Sequence, residues 1–166
     1  MQERKRCWGD GDPEMEKYHD EEWGVPVRND NMLFERLTLE MFQAGLSWRT
    51  VLHKRKAFRN AFENFSAEKI AKFSDNDVKR LLKDSSIIRN ELKIRSTIHN
   101  AQAVLKLKKE NGSFKRWLDT IDPKSKNVDK EFKKHFKFMG PEIVRMFLMS
   151  VGKFENVHMK GCWKAK

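Results

Sequence analysis

Apolar residues recur along this chain at helical spacing, and no convincing run of alternating apolar and polar positions marks a strand. The first amphipathic segment spans 31–44, with Asp30 or Asn31 as its cap and Gly45 as its stop. A second helix is predicted after Ser47, carrying Val51, Leu52, Phe58, Ala61 and Phe62. Short helices follow Ser66 and Ser74, and Asp77, three residues after Ser74, completes a capping-box pattern. A long helix over 90–110 aligns Ile94, Ile98, Ala101 and Leu105 on one face and ends at Gly112. Residues 113–121 form another, stopped by Asp122 and Pro123. After Asn127 the chain turns basic, with Phe132, Phe136 and Phe138 as apolar anchors. Pro141 suits the first turn of a last helix and Gly152 its C-terminal stop. The predicted fold class is all-α.

One residue breaks this pattern. Leu33, Leu37, Glu40 and Ala44 share a helical face, so Glu40 points inward with two leucines. A carboxylate there must be paired, sit at a partly exposed edge, or serve a function in a pocket. Aromatic residues gather around it in sequence. Tyr18, the one tyrosine, precedes His19; Trp23 follows shortly, and Trp48 lies just past the Glu40 helix. Rings beside a desolvated carboxylate suit the stacking and edge-reading of an extruded nucleobase, although core packing is the commoner fate of tryptophan.

Length, charge and cysteines narrow the picture. A chain of 166 residues is one domain, 1–166. It divides at most into two lobes: the joined termini, and a central helical part with a hairpin at about 74–110. The net charge is +11, and residues 124–166 alone hold eleven Lys and Arg against four Asp and Glu. Such a balance favours a polyanion, nucleic acid first and an acidic membrane surface second. No apolar run of ~18 residues predicts a membrane span. The two cysteines each have a histidine nearby: eleven residues separate Cys7 from His19, and three separate His158 from Cys162. Together they form the ligand set of a closed tetrahedral zinc site, which would tie the termini and be structural. The alternative is two ordinary thiols with incidental histidines. A disulfide is disfavoured, since no signal-peptide pattern is seen and a cytoplasmic location is expected.

Three blocks then carry a resemblance: C-W-G-D-G-D-P at 7–13, Y-H-D-E-E-W-G-V-P at 18–26 and L-E-M-F-Q-A-G-L-S-W-R-T-V-L at 39–52. With I-I-R-N at 87–90, F-K-F-M-G-P at 136–141 and H-M-K-G-C at 158–162, the chain resembles the DNA-3-methyladenine glycosylase I family over nearly its whole length. That resemblance implies a helix-hairpin-helix glycosylase-like fold and one structural zinc per chain on Cys7, His19, His158 and Cys162. It implies base excision repair of alkylated double-stranded DNA, with free 3-methyladenine as product and Glu40 as the pocket carboxylate. Tyr18 and Trp48, with Trp23 nearby, match the base-binding aromatics. Gly45 and Leu46 match the residues that fill the gap left by the extruded nucleotide. The hairpin would comprise 74–84, a turn at 85–90 and the helix beyond, with Ser86, Arg89 and Lys93 at DNA and Lys79 and Lys83 adding charge. A monomer without membrane contact is expected.

Departures from the family pattern are Ser86 in place of a usual glycine, Glu91 in place of a basic residue, Glu142 in place of threonine and Arg145 in place of tyrosine. No hairpin lysine stands as a nucleophile, so a monofunctional hydrolase is expected. The departures keep open a catalytically impaired binder of damaged DNA or methylated bases. A zinc-stabilised DNA-binding module with no base pocket is a third reading.

Overall fold

The computed structural model describes residues 4–166, so the first three residues of the expected domain lie outside the described part. Among the described residues there is no strand. The central element is α2 (Asp30–Gln43), which packs on α10 (Pro141–Ser150), α3 (Trp48–His53), α7 (Glu91–Asn111) and α8 (Phe114–Asp119). Every residue of α2 from Leu33 to Phe42 is buried. The helix is therefore enclosed on all sides instead of presenting one stripe, and this brings Glu35, Arg36, Thr38 and Glu40 into the interior with the apolar residues.

The caps differ from expectation at one instructive point. Asn29, not Asp30 or Asn31, caps α2, its side chain accepting from the Met32 amide at 3.1 Å. Asp30 instead accepts from the amides of Phe114 and Lys115, both at 3.0 Å, and so caps α8 across the core. Ser47 caps α3, and the expected single helix breaks at Lys54 into α3 and α4 (Arg55–Ala61). Ser66 caps α5 (Ala67–Ile70), and the Ser74–Asp77 capping box opens α6 (Asp75–Lys83). The 21-residue α7, about 31 Å long, ends at Gly112 with φ +91°. Phe132 on α9 (Val128–Lys133) and Phe136 join the main core, and Phe138 is partly buried against it.

The periodicity gave no sign of the N-terminal elements. Asp12 caps a short α1 (Pro13–Lys17), which widens into a π-helical turn, Tyr18–Glu22, closed by Trp23 N–H to Tyr18 C=O at 2.8 Å. Beyond it, residues 24–27 lie against the end of α10, with Gly24 N–H bonded to Ser150 C=O and Val27 N–H to Val151 C=O. Gly152 is required there: at φ +80°, a Cβ would stand 2.6 Å from the Pro26 nitrogen.

Candidate active site

Where the π-turn meets α2 and α3 there is a cavity of about 450 Å³. Glu40 forms its floor, and Tyr18, Trp23 and Trp48 its walls, so the four residues singled out in sequence meet in space. Trp8 completes the wall, 6.1 Å from the Tyr18 ring and 5.3 Å from Trp23, and Tyr18 lies 5.0 Å from Trp48. Sequence reasoning missed Trp8, although it sits next to Cys7. It also missed Gln43, Arg49 and Met146, which lie on the lining as well.

Electrostatics single out Glu40. Tyr18 is buried, and its hydroxyl accepts from Arg36 Nη1 at 3.1 Å; burial raises its phenol well above the ordinary range. Arg36 also donates to the Ser150 carbonyl and to Glu22, which a second arginine, Arg55, grips in bidentate fashion at 2.9 and 2.8 Å. Glu35 is held in turn by Arg55 and Arg59. Each buried charge on this side of α2 has a partner except Glu40. Among the described residues nothing hydrogen-bonds its carboxylate, and burial, only partly offset by Arg36, pushes it from 4.5 up to about 8. Burial thus favours the protonated form of this carboxyl at neutral pH. Trp48 Nε1 on the cavity wall is a buried donor that also has no partner among the described residues.

A second cavity of about 230 Å³ shares Glu40, Gln43 and Met146 and is further lined by Gly45 and Glu142. Glu142 and Arg145 pair on the exposed face of α10, Nη2 to Oε1 at 2.8 Å, which holds the Glu142 carboxyl below its usual range. Two of the four departures from the family pattern are thus partners of one another. Beside this cavity the C-terminal end of α2 is capped by Lys93. Its buried ammonium donates to the carbonyls of Phe42 at 3.0 Å and Ala44 at 2.7 Å. Lys93 was expected at DNA. In the structure the side chain turns toward carbonyls at the C-terminal end of α2.

The 84–90 segment joins α6 to α7. Ser86 is not among the residues with positive φ, so this turn needs no glycine. Its amide and hydroxyl both donate to the Asp84 carboxylate, the amide at 2.9 Å, so that amide is not free for an anion. Arg89, Lys79 and Lys83 are exposed, as are Leu46 and Glu91, and Glu91 pairs with Arg95. Gly45 takes φ +80°, which turns the chain out of α2.

Cys7, His19, His158 and Cys162 converge, their ligand atoms all within 4.8 Å of one another. Cys7 Sγ lies 3.6 Å from His158 Nδ1, and Cys162 Sγ lies 3.5 Å from His19 Nε2 and 3.7 Å from His158 Nδ1. A tetrahedral centre with metal–sulfur bonds of ~2.3 Å and metal–nitrogen bonds of ~2.05 Å requires S···N edges of about 3.6 Å, so the group fits a metal ion. Its surroundings support the ligands. His19 Nδ1 bonds to Asp20 at 2.8 Å, leaving Nε2 for the group, and the Met159 amide donates to Cys7 Sγ.

Comparison with known proteins agrees with this arrangement. The sequence model of the methyladenine glycosylase family matches residues 8–122. DNA-3-methyladenine glycosylase 1 of Escherichia coli (strain K12) is 37% identical, the match covering 95% of each chain. The structure of 3-methyladenine DNA glycosylase I from Staphylococcus aureus superposes with a TM-score of 0.88 at 32% identity, covering 96% of this chain and 95% of that one. A tyrosine-to-phenylalanine variant of 3-methyladenine DNA glycosylase I in complex with 3-methyladenine gives 0.88 at 31%, covering 96% of both. With a match to the family model over most of its length and an aromatic cavity closed by one unpaired carboxyl, this chain belongs to the methyladenine glycosylase family.

Proposed function

We propose that this chain is a monofunctional DNA glycosylase that hydrolyses the N-glycosidic bond of 3-methyladenine in alkylated double-stranded DNA and releases the free base. The observation that carries this reading is Glu40, a buried carboxyl without a protein partner on the floor of a ring-walled cavity. A 3-methylated adenine in DNA is cationic, so its glycosidic bond is already weak and the base departs neutral. Catalysis then asks for selection and extrusion more than strong activation. Glu40 meets the cation with a charge that burial alone disfavours. Binding expels its proton, so affinity for the lesion rises with pH up to about 8. The ionised carboxylate accepts from the adenine amino group, and Tyr18, Trp48 and Trp23 supply stacking and cation–π attraction of roughly 1–2 kcal/mol per good contact. Neutral adenine gains neither the charge pairing nor the cation–π part.

Four other parts complete the proposal. Cys7, His19, His158 and Cys162 would hold a zinc ion, which would supply a structural cross-link between the termini. The α6–α7 segment serves as a helix-hairpin-helix element toward DNA, with Arg89 and residues 84–90 near phosphate. Gly45 and Leu46 fill the gap in the duplex, which the exposure of Leu46 supports. The chain acts as a single-domain monomer in the cytoplasm, and no helix among the described residues is long and apolar enough to cross a membrane.

Against the impaired-binder alternative, Glu91 and Arg145 line neither cavity, and Glu142 lines only the second one. Incubation with dimethyl-sulfate-treated duplex should release 3-methyladenine, measured chromatographically, well above the spontaneous rate. Folded protein that binds the duplex but releases nothing overturns the reading.

A further inference from the structure

The mouth of the cavity holds a charge that base recognition leaves unused. Arg49, the second residue of α3, lines the cavity with its side chain 59% exposed, whereas Glu40 on the same lining is 4% exposed. Its Nε lies 3.0 Å from Asp12 Oδ2. Asp12 is itself fixed: Oδ1 accepts from the Met15 amide at 3.2 Å, and Oδ2 also meets His53 Nε2 at 2.8 Å. The guanidinium is thus held by one edge. Among the described residues neither of its terminal nitrogens makes a hydrogen bond, and Nε is the atom nearest Asp12.

We propose that Arg49 is a phosphate clamp, its two terminal nitrogens binding a backbone phosphate of the nucleotide whose base enters the cavity. This rests on the proposed function. Three features favour phosphate over the base as the ligand. A base seated on Glu40 directs its sugar and phosphates to the mouth, where Arg49 stands. A guanidinium edge matches two phosphate oxygens in plane. Asp12 balances the arginine's charge, so the clamp does not repel a cationic base passing it. Arg49 also follows Leu46 by three residues, so the gap-filling side chain and the clamp sit on one short piece of backbone.

The test compares Arg49→Ala with the parent chain on a duplex carrying a tetrahydrofuran abasic analogue, across about 50 to 200 mM salt. Binding of free 3-methyladenine is measured alongside. Duplex affinity at low salt should fall about tenfold, the scale of one lost charge-assisted contact. The slope of log affinity against log salt should shrink by about one. Affinity for free 3-methyladenine should stay within about twofold of the parent, since roughly 0.4 kcal/mol or less is then lost. An unchanged salt slope overturns the clamp, as does an equal loss of free-base affinity, which would place Arg49 on the base. A parent chain that binds the abasic duplex yet excises nothing would overturn the proposed function and leave the clamp standing.

Discussion

Arg36 and Glu40 lie one turn apart on α2, both buried, and they do not pair. The guanidinium is spent on Tyr18, Ser150 and Glu22. An arginine that closed on Glu40 would fill its acceptor sites and remove the reason for a cationic ligand to bind.

The unpaired carboxyl should cost the empty protein stability, with a definite pH dependence. Between pH 4.5 and about 8 the folded chain keeps a proton on Glu40 that the unfolded chain has released. Folding stability therefore declines as pH rises through that window and levels off above it. Glu40→Gln is neutral throughout and escapes the decline. Thermal melts should show the variant more stable than the parent, by roughly 2–4 kcal/mol at pH 8.5 and much less at pH 5. Its excision of 3-methyladenine should be weaker by about 1.5–3 kcal/mol. A variant that melts earlier and excises normally would make Glu40 a structural residue.

Metal analysis of freshly purified protein should find one equivalent of zinc per chain. Cys162→Ser should lower both that figure and the melting temperature, because the cross-link between residues 7 and 162 is lost. Full thermal stability after exhaustive chelation would show that the four residues meet without holding a metal.

Lys93→Met keeps the side chain out to Cε and removes the donor. The carbonyls of Phe42 and Ala44 lose their partner, at a cost of about 1–3 kcal/mol by chemical denaturation. Duplex binding should suffer only through the altered position of Gly45 and Leu46, so the salt dependence should match that of the parent. A reduced salt slope would return Lys93 to the phosphate surface.

Glu142→Gln should release Arg145 and remove a negative charge beside the second cavity. As an exposed pair, Glu142 and Arg145 contribute only about 0.3–0.5 kcal/mol to stability. Melting should barely change, while duplex affinity at low salt rises a few-fold, read by fluorescence anisotropy. Unchanged affinity would place this face of α10 away from DNA.

What the sequence revealed tracks how local each signal is. Leu33, Leu37 and Glu40 declared a shared face because helical spacing alone puts them there. The four metal-type residues stood out because cysteine and histidine were few and paired in sequence. The contacts of Lys93 were not legible because a long charged side chain carries no mark of which way it turns; its carbonyl partners lie about fifty positions earlier. Asp30 caps a helix 84 residues away, and the Arg36–Glu22–Arg55–Glu35 network likewise exists only after folding. Trp8 was hidden because core tryptophan and pocket tryptophan look alike before the cavity is seen.

The wide turn at Tyr18–Glu22 makes this stretch tolerant in one sense and brittle in another. Its extra residue lets Tyr18 reach the cavity, His19 the metal group and Glu22 the two arginines. Side-chain substitutions there would damage these contacts one at a time. Removing a single residue would restore an ordinary helical turn and rotate everything on one side of the deletion by about 100° relative to the other. The three contacts could then no longer be met together. Here the length of the segment carries information that the side chains alone do not, and a one-residue deletion should be far more damaging than any single replacement.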